Sequence, residues 1–137
     1  MNYTVNYSEK RTFAPFDKEH YLLYLGETPV SYVPETAMIA DGEHEADPEP
    51  VDGYSYCGTY PDGGTLIRAT EATYDAFVSG LIRRRYSADE VEALQANMVE
   101  TLVNPEHPRA AEFTQKWEEF QTFRDECKAD AKAVLGL

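Results

Sequence analysis

The chain has 137 residues, of which 42% are hydrophobic and 12% aromatic, which fits one folded domain and argues against global disorder. Its 25 acidic residues outnumber its 12 lysines and arginines, giving a formal net charge of −13. Because this charge repels phosphates and anionic lipid, we expect neither nucleic-acid binding nor membrane binding.

Targeting signals and reactive groups are few. No apolar run reaches the roughly 18 residues of a membrane-spanning helix, and the first residues lack the hydrophobic core of a signal peptide. We therefore expect a cytoplasmic protein, with Cys57 and Cys127 reduced. The basic residues cluster only at Arg83–Arg85, which we interpret as the C-terminal end of a helix, where cations are favoured.

The first third of the chain predicts short strands. Met1–Tyr7 alternates between tyrosine or valine and polar residues, which is typical of a half-buried strand. Ser8–Asp17 is predicted to be a loop whose two phenylalanines, Phe13 and Phe16, fold back into the core. His20–Leu25 predicts a second strand, and Val30–Val33, with a proline on each side, predicts an edge strand.

The segment 34–53 is acidic and contains no lysine or arginine. Its prolines, glycines and like charges predict a flexible loop, because it cannot bury enough apolar surface to offset the entropy of ordering. The alternative is a cation site formed by residues 35–52, since calcium prefers carboxylates. However, Asp41–Asp47 lacks the spacing of an EF-hand, and we expect His44 to be solvated.

A hairpin is predicted immediately after this segment. Tyr54–Tyr60 has the residue types of a strand, Pro61–Gly64 is a strong turn signal, and Thr65–Ala69 has the residue types of a second strand. The double glycine lacks the pattern of a phosphate-binding loop, because it is predicted to join two strands and not a strand to a helix.

Three amphipathic helices are predicted in the second half. The first begins near Thr70 and ends near Arg85. The second begins at a capping box, Ser87–Glu90, and places Val91, Leu94, Met98 and Leu102 inward. The third, Arg109–Leu135, carries a stripe at helical spacing that must be buried against another surface. Its members are Phe113, Trp117, Phe120, Cys127, Ala131 and Val134.

Together these elements predict an α+β fold. We expect a single domain of residues 1–137, with 1–69 mainly β, including the flexible acidic loop 34–53, and 70–137 helical. The N-terminal antiparallel sheet, of about three to five strands, is expected to pack against a C-terminal layer of three helices.

The sequence contains no recognisable catalytic motif. The histidines (His20, His44 and His107) have no metal-ligand spacing, GxSxG is absent, and Cys127 lies on the apolar stripe, where a thiol is inert. We therefore predict no enzyme activity and no catalytic, cofactor-binding or metal-binding residues. An enzyme whose site is assembled from distant residues remains an alternative.

Aromatic residues favour an interaction protein. Eight of the 10 tyrosines lie in the N-terminal half, and tyrosine serves either core edges or interfaces. The alternative for the tyrosines is that they line a core between sheet and helices. The alternative for the aromatic stripe of the third helix is that it packs on the other two helices. A second copy of the chain is one candidate partner. The predicted interaction surface consists of Tyr54, Tyr56, Tyr60, Trp117 and Phe120.

One resemblance begins at Gly53, with GYSYCGTYPDGGTLIRATEATYDAFVSGLIRRRYSADEVEALQAN, and continues in EFTQKWEEFQTFRDECKADAKAVL. These segments resemble small uncharacterised proteins encoded near tail-fibre genes in prophages of gut bacteria. The shared features are a strand hairpin with a DGGT turn, the residues Leu81–Arg83 and Tyr86–Ser87, and a capped helix. A last helix then carries a pattern of aromatic, arginine and lysine residues. That pattern comprises Trp117, Phe120, Arg124 and Lys128.

The resemblance implies an accessory or assembly role in a phage tail, with tail components as partners. Our leading hypothesis is therefore a non-enzymatic protein-interaction module that acts through its tyrosine-bearing sheet or its third helix. The alternative is a small acidic protein that binds a ligand or metal through residues 35–52.

Overall fold

The computed structural model of the protein describes residues 2–33 and 49–137. They form six strands and then three helices, which confirms the predicted α+β class. The strands are β1 (Tyr3–Tyr7), β2 (Phe13–Asp17), β3 (His20–Leu23), β4 (Thr28–Tyr32), β5 (Val51–Gly58) and β6 (Thr65–Arg68). The helices are α1 (Tyr74–Arg83), α2 (Ala88–Val103) and α3 (Ala110–Leu135).

The strands form two three-stranded antiparallel sheets, whereas the sequence suggested one sheet. The first has the order β1-β5-β4, with Val5 opposite Tyr56 and Pro29 opposite Tyr54. The edge strand predicted at Val30–Val33 is present as β4, which begins earlier, at Thr28, and its edge position is confirmed. Strand β5 begins at Val51, so the predicted loop 34–53 is wrong over its last three residues; residues 34–48 lie outside the described residues.

The second sheet has the order β2-β3-β6 and corrects the predicted loop Ser8–Asp17. Residues Phe13–Asp17 are a strand, and Phe16 is 43% exposed and not part of the core. The Asp17 carboxylate accepts the backbone N–H of Glu19 at 2.8 Å, which stabilises the tight turn between β2 and β3. The proline in β2 is tolerated because the strand lies at the sheet edge.

The predicted hairpin of Tyr54–Tyr60 with Thr65–Ala69 is wrong. Its turn is present, because the N–H of Tyr60 donates to the carbonyl of Gly64 at 2.9 Å. However, a strand has only two hydrogen-bonding edges, and β1 and β4 occupy both edges of β5. Strand β6 consequently joins the other sheet, beside β3.

The chain divides into two compact units. The first takes in the described parts of Met1–Ala14 and Leu22–Leu66, and the second takes in Pro15–Tyr21 and Ile67–Leu137. The first unit is built around tyrosines: its buried cluster is surrounded by half-buried tyrosines, an alanine and a leucine. The buried members are Leu22, Tyr24 and Tyr56; the others are Tyr7, Ala14, Tyr54, Tyr60 and Leu66.

The second unit has an aliphatic and aromatic core. The ring of Tyr21 lies 5.3 Å from that of fully buried Phe77 in α1, and α3 packs against both α1 and α2. The predicted stripe of α3 is buried except for half-buried Trp117. As predicted, this helix ends at Gly136, which adopts a left-handed conformation with φ of 72°. The start of α1 is later than predicted, because Thr73 caps it.

The predicted capping box of α2 is confirmed. The Ser87 hydroxyl accepts the N–H of Glu90 at 3.0 Å, and the Glu90 carboxylate accepts the N–H of Ser87 at 3.3 Å. We expect Ser87→Ala to lower the free energy of unfolding by about 1 kcal/mol, because it leaves a helix N–H without its acceptor. Urea denaturation measures this change. The control is Ser79→Ala at an exposed mid-helix position, which is expected to be neutral or slightly stabilising; equal losses in both variants would contradict the role of the cap.

Candidate functional site

The structure places the predicted interaction residues in two separate units. In the first unit, Tyr56 is only 1% exposed, and Tyr54 and Tyr60 are half-buried. In the second, Phe120 is 3% exposed, and its ring lies 5.8 Å from that of half-buried Trp117. Tyr56 and Phe120 therefore contribute to cores. The part that the other three play in an interaction surface stays a prediction.

The tyrosines of the first unit are held by a polar network around Arg11. The Arg11 guanidinium packs on two rings, 4.6 Å from the centre of Tyr7 and 4.4 Å from that of Tyr24. It also donates to the Tyr24 hydroxyl at 3.0 Å, and this hydroxyl donates to the Asp62 carboxylate at 2.7 Å. Tyr7 donates to the backbone carbonyl of Asp62. The network thus fixes the turn that contains Asp62.

Tyr56 completes this network. Its hydroxyl accepts the backbone N–H of Arg11 at 2.8 Å and donates to the Glu27 carboxylate at 2.7 Å. Burial, with hydrogen bonds to Asp62 and Glu27 respectively, raises the pKa of Tyr24 and that of Tyr56 to about 12. Both hydroxyls therefore stay protonated as donors to above pH 10, so the network keeps these hydrogen bonds in mildly alkaline solution.

These raised pKa values predict alkaline sensitivity. Between about pH 10 and pH 12, the unfolded chain releases these protons while the folded chain retains them, so stability falls as pH rises through this window. We expect Tyr56→Phe to unfold more easily at pH 8 but to lose less stability between pH 8 and pH 11.5. Urea denaturation across this range measures both effects; an identical pH dependence in wild type and variant would contradict the assignment.

The histidines and cysteines of the described residues form no convergent site. His20 pairs with Asp17 at 2.8 Å, and His107 lies 3.2 Å from a Glu100 oxygen. Both cysteines are free; Cys57 is exposed, whereas burial raises the pKa of the Cys127 thiol to about 11. Within residues 2–33 and 49–137, no group of three His, Cys, Asp or Glu residues could hold a metal.

The acidic alternative cannot be placed on this structure. His44 and residues 35–48 lie outside the described residues, so ligand or metal binding by 35–52 stays a prediction. The basic cluster Arg83–Arg85 lies at the end of α1, as predicted. The Arg85 guanidinium lies 5.1 Å from the ring centre of Phe123 in α3, so this cation packs within the helical unit.

An unpredicted feature lies at the C-terminal end of α2. Val99 is 58% exposed, Leu102 is 70% exposed and Val103 is 81% exposed. They are spaced by three and four residues, so they share one side of the helix. We call these three side chains the α2 outer face.

Leu102 was predicted to face inward, and this was wrong. Thr101 takes the buried position at 9% exposure, and its hydroxyl donates to the carbonyl of Asn97 at 3.0 Å. By satisfying its hydroxyl within the helix, Thr101 can be buried at small cost. The larger apolar residue beside it is left in solvent. Apolar residues occur on more than one side of α2 at this end, at Met98, Val99, Leu102 and Val103. The sequence pattern alone therefore did not show which side is buried.

Helix α2 is acidic: Glu100 lies in the same turn as the α2 outer face and Glu92 about two turns before Val99, whereas Asp89 and Glu90 lie at the other end of the helix. Helix α2 contains four carboxylates and no lysine or arginine: Asp89, Glu90, Glu92 and Glu100. Arg109 follows the helix, but its guanidinium donates twice to Glu112, at 2.9 Å and 3.0 Å. Hydrogen bonds from Arg109 and Lys116 lower the pKa of Glu112 to about 2. The hydrogen bonds to Glu112, and more weakly the charge of Glu100, raise the pKa of Arg109.

Among the described helices, none is both long enough and apolar enough to cross a membrane. No protein-family model matches the chain, and no curated protein or solved structure matches it either. The arrangement of its own residues is therefore the basis for a functional proposal.

Proposed function

We propose that this chain is a non-enzymatic protein-interaction module that docks a partner protein on the α2 outer face. The observation that carries the proposal is the exposure of Val99, Leu102 and Val103, at 58%, 70% and 81%, at neighbouring positions of one helix. Single exposed aliphatic residues are common on protein surfaces, whereas the largest contiguous apolar patch of a protein is often functional.

Energetics support this use of the surface. Fully burying one valine or leucine side chain contributes about 1.5–3 kcal/mol, and α2 gains only part of this from its three outward side chains, which stay mostly in solvent in the isolated chain. A partner that covers them recovers that free energy. The remaining apolar area can therefore contribute to binding.

The proposal assigns no catalytic step to the chain. The Cys127 thiol is held in its protonated form by burial, which makes it a poor nucleophile. His20 and His107 each lie beside one carboxylate at the surface of their element, which accounts for them without chemistry.

We infer the biological setting from the resemblance to prophage proteins encoded near tail-fibre genes. In this proposal the partner is a phage-tail component, assembled in the cytoplasm, and the chain is an accessory or assembly protein. Half-buried Tyr54, Tyr60 and Trp117 would contribute at most secondary contacts, because each already packs within its own unit.

The test uses tagged protein recovered from the cells that encode it, with and without prophage induction, and quantitative mass spectrometry. We expect wild type to recover tail proteins at near-equal molar amounts after induction. The double variant L102S/V103S is expected to lose them. The control L137S changes another exposed leucine, at 75% exposure, and is expected to retain them.

Two results would contradict the proposal. A wild-type protein recovered alone under both conditions would remove the interaction role. Tail proteins recovered equally by wild type and by L102S/V103S would move the interaction away from the α2 outer face.

A further inference from the structure

From the carboxylates that α2 carries beside its outer face, Glu92 and Glu100, we infer that the occupant of this face is a basic, amphipathic helical segment of another protein. This inference rests on the proposed function and adds the chemistry of the partner. A helix laid along an apolar face is a common mode of recognition, with anchoring side chains spaced by three or four residues. The spacing of Val99, Leu102 and Val103 offers contacts to such anchors.

The sign of the partner's charge follows from α2 itself. Glu92 lies two turns before Val99 on the same side of the helix, and Glu100 lies within the last turn. Helix α2 contains no lysine or arginine. Glu100 lies 3.2 Å from His107 and near Arg109, but the Arg109 guanidinium donates its hydrogen bonds to Glu112. Charges across an interface are arranged to be complementary, so an acidic rim selects lysine or arginine on the partner.

A second copy of this chain fits the surface poorly. Three aliphatic side chains offer a few hundred Å², below the roughly 800 Å² per partner of a stable dimer, whereas a weak or transient contact with a single helical segment does not require that area. A pair of α2 helices would also bring two sets of four carboxylates together. The chain's own acidic segment is disfavoured for the same reason, since residues 34–53 carry no cation.

Lipid and nucleic acid are also poor occupants. A helix that lies on a membrane pairs its apolar side with lysine and arginine, which attract anionic lipid. Helix α2 has carboxylates instead, and the whole chain has a net charge of −13. The same charge opposes phosphate backbones.

The experiment uses two synthetic helical peptides of equal length with leucines at identical positions. One carries lysine at every polar position and the other carries glutamate. Fluorescence anisotropy measures their binding to the full chain at about 50 mM and about 300 mM salt. We expect the lysine peptide to bind at least about tenfold more tightly than the glutamate peptide, and to weaken as salt rises.

Variants locate the binding. L102S/V103S is expected to lose most of the affinity for the lysine peptide, because it removes the apolar contact and keeps the acidic rim. L137S, which changes a leucine of similar exposure, is expected to keep it. E92Q/E100Q is expected to weaken the lysine peptide severalfold and to reduce its salt dependence.

Several outcomes would overturn the inference. These are equal affinity for both peptides, no binding of either peptide, or lysine-peptide binding that survives L102S/V103S, which would indicate general attraction to an acidic protein. If wild type, but not L102S/V103S, still recovers a partner from cells in any of these cases, the proposed function stands and only the basic chemistry of the partner is refuted.

Discussion

Leu81→Ala is expected to lower the free energy of unfolding of the helical unit by about 3 kcal/mol. Leu81 lies in α1 and is only 2% exposed. The substitution removes buried methyl groups and leaves a cavity, because the surrounding side chains collapse only partly. Urea denaturation followed by far-ultraviolet circular dichroism measures the loss.

A matched control is available in the same unit. Leu102→Ala makes the same chemical change at a helical position that is 70% exposed. We expect a change below about 0.5 kcal/mol, because little apolar area is lost and alanine favours a helix. A large loss at Leu102, or a small one at Leu81, would contradict the assignment of buried and outer sides to these helices.

Gly58→Ala is expected to destabilise the first unit by about 3 kcal/mol. A Cβ atom at Gly58 would lie 2.2 Å from the carbonyl oxygen of Gly64 and 2.4 Å from its carbonyl carbon. Both obstacles belong to the backbone, so no rotamer change relieves the clash. The turn from Tyr60 to Gly64 must move instead, although its backbone hydrogen bond and the Asp62 contacts hold it in place.

Gly26→Ala separates this steric effect from backbone preference. Gly26 has a φ of 65°, yet a Cβ atom there would meet nothing within 4 Å. We therefore expect a loss of about 1 kcal/mol, due to the left-handed conformation alone. Thermal denaturation of both variants provides the comparison, and equal losses would contradict the close approach of Gly58 and Gly64.

The helices could be predicted from sequence because their signals are local. The Ser87–Glu90 capping box, the Gly136 C-cap and the apolar stripe of α3 each involve residues within one or two turns. Such signals survive in any tertiary arrangement. The late start of α1 at Tyr74, after its Thr73 cap, is a difference of a few residues at a helix end.

Strand pairing could not be predicted because its causes are not local. The turn signal Pro61–Gly64 correctly indicated a reversal of the chain, but it contains no information about which strands compete for the edges of β5. Partners of β5 come from the N-terminus and from β4. Similarly, β2 was missed because Pro15 and charged neighbours obscure the alternation of an edge strand.

The candidate site was missed for a related reason. At the end of α2, the buried side could continue from Met98 to Leu102 or from Asn97 to Thr101, because both pairs are one helix turn apart. Hydrophobicity favours burying Leu102. The structure buries Thr101 instead. An apolar residue left outside the core is visible only once the packing partner of the helix is known. The sequence did offer one hint: Val99, Leu102 and Val103, together with Met98, give the end of α2 more apolar residues than one buried side needs.

The most direct test of the α2 outer face as the docking surface is photo-crosslinking in the cells that encode the protein. A benzophenone amino acid replaces Val103 in one variant and Leu137, which is similarly exposed, in a control. We predict that position 103 crosslinks to one defined partner protein and that position 137 does not. No crosslinked species at position 103, or the same species at both positions, would contradict the account.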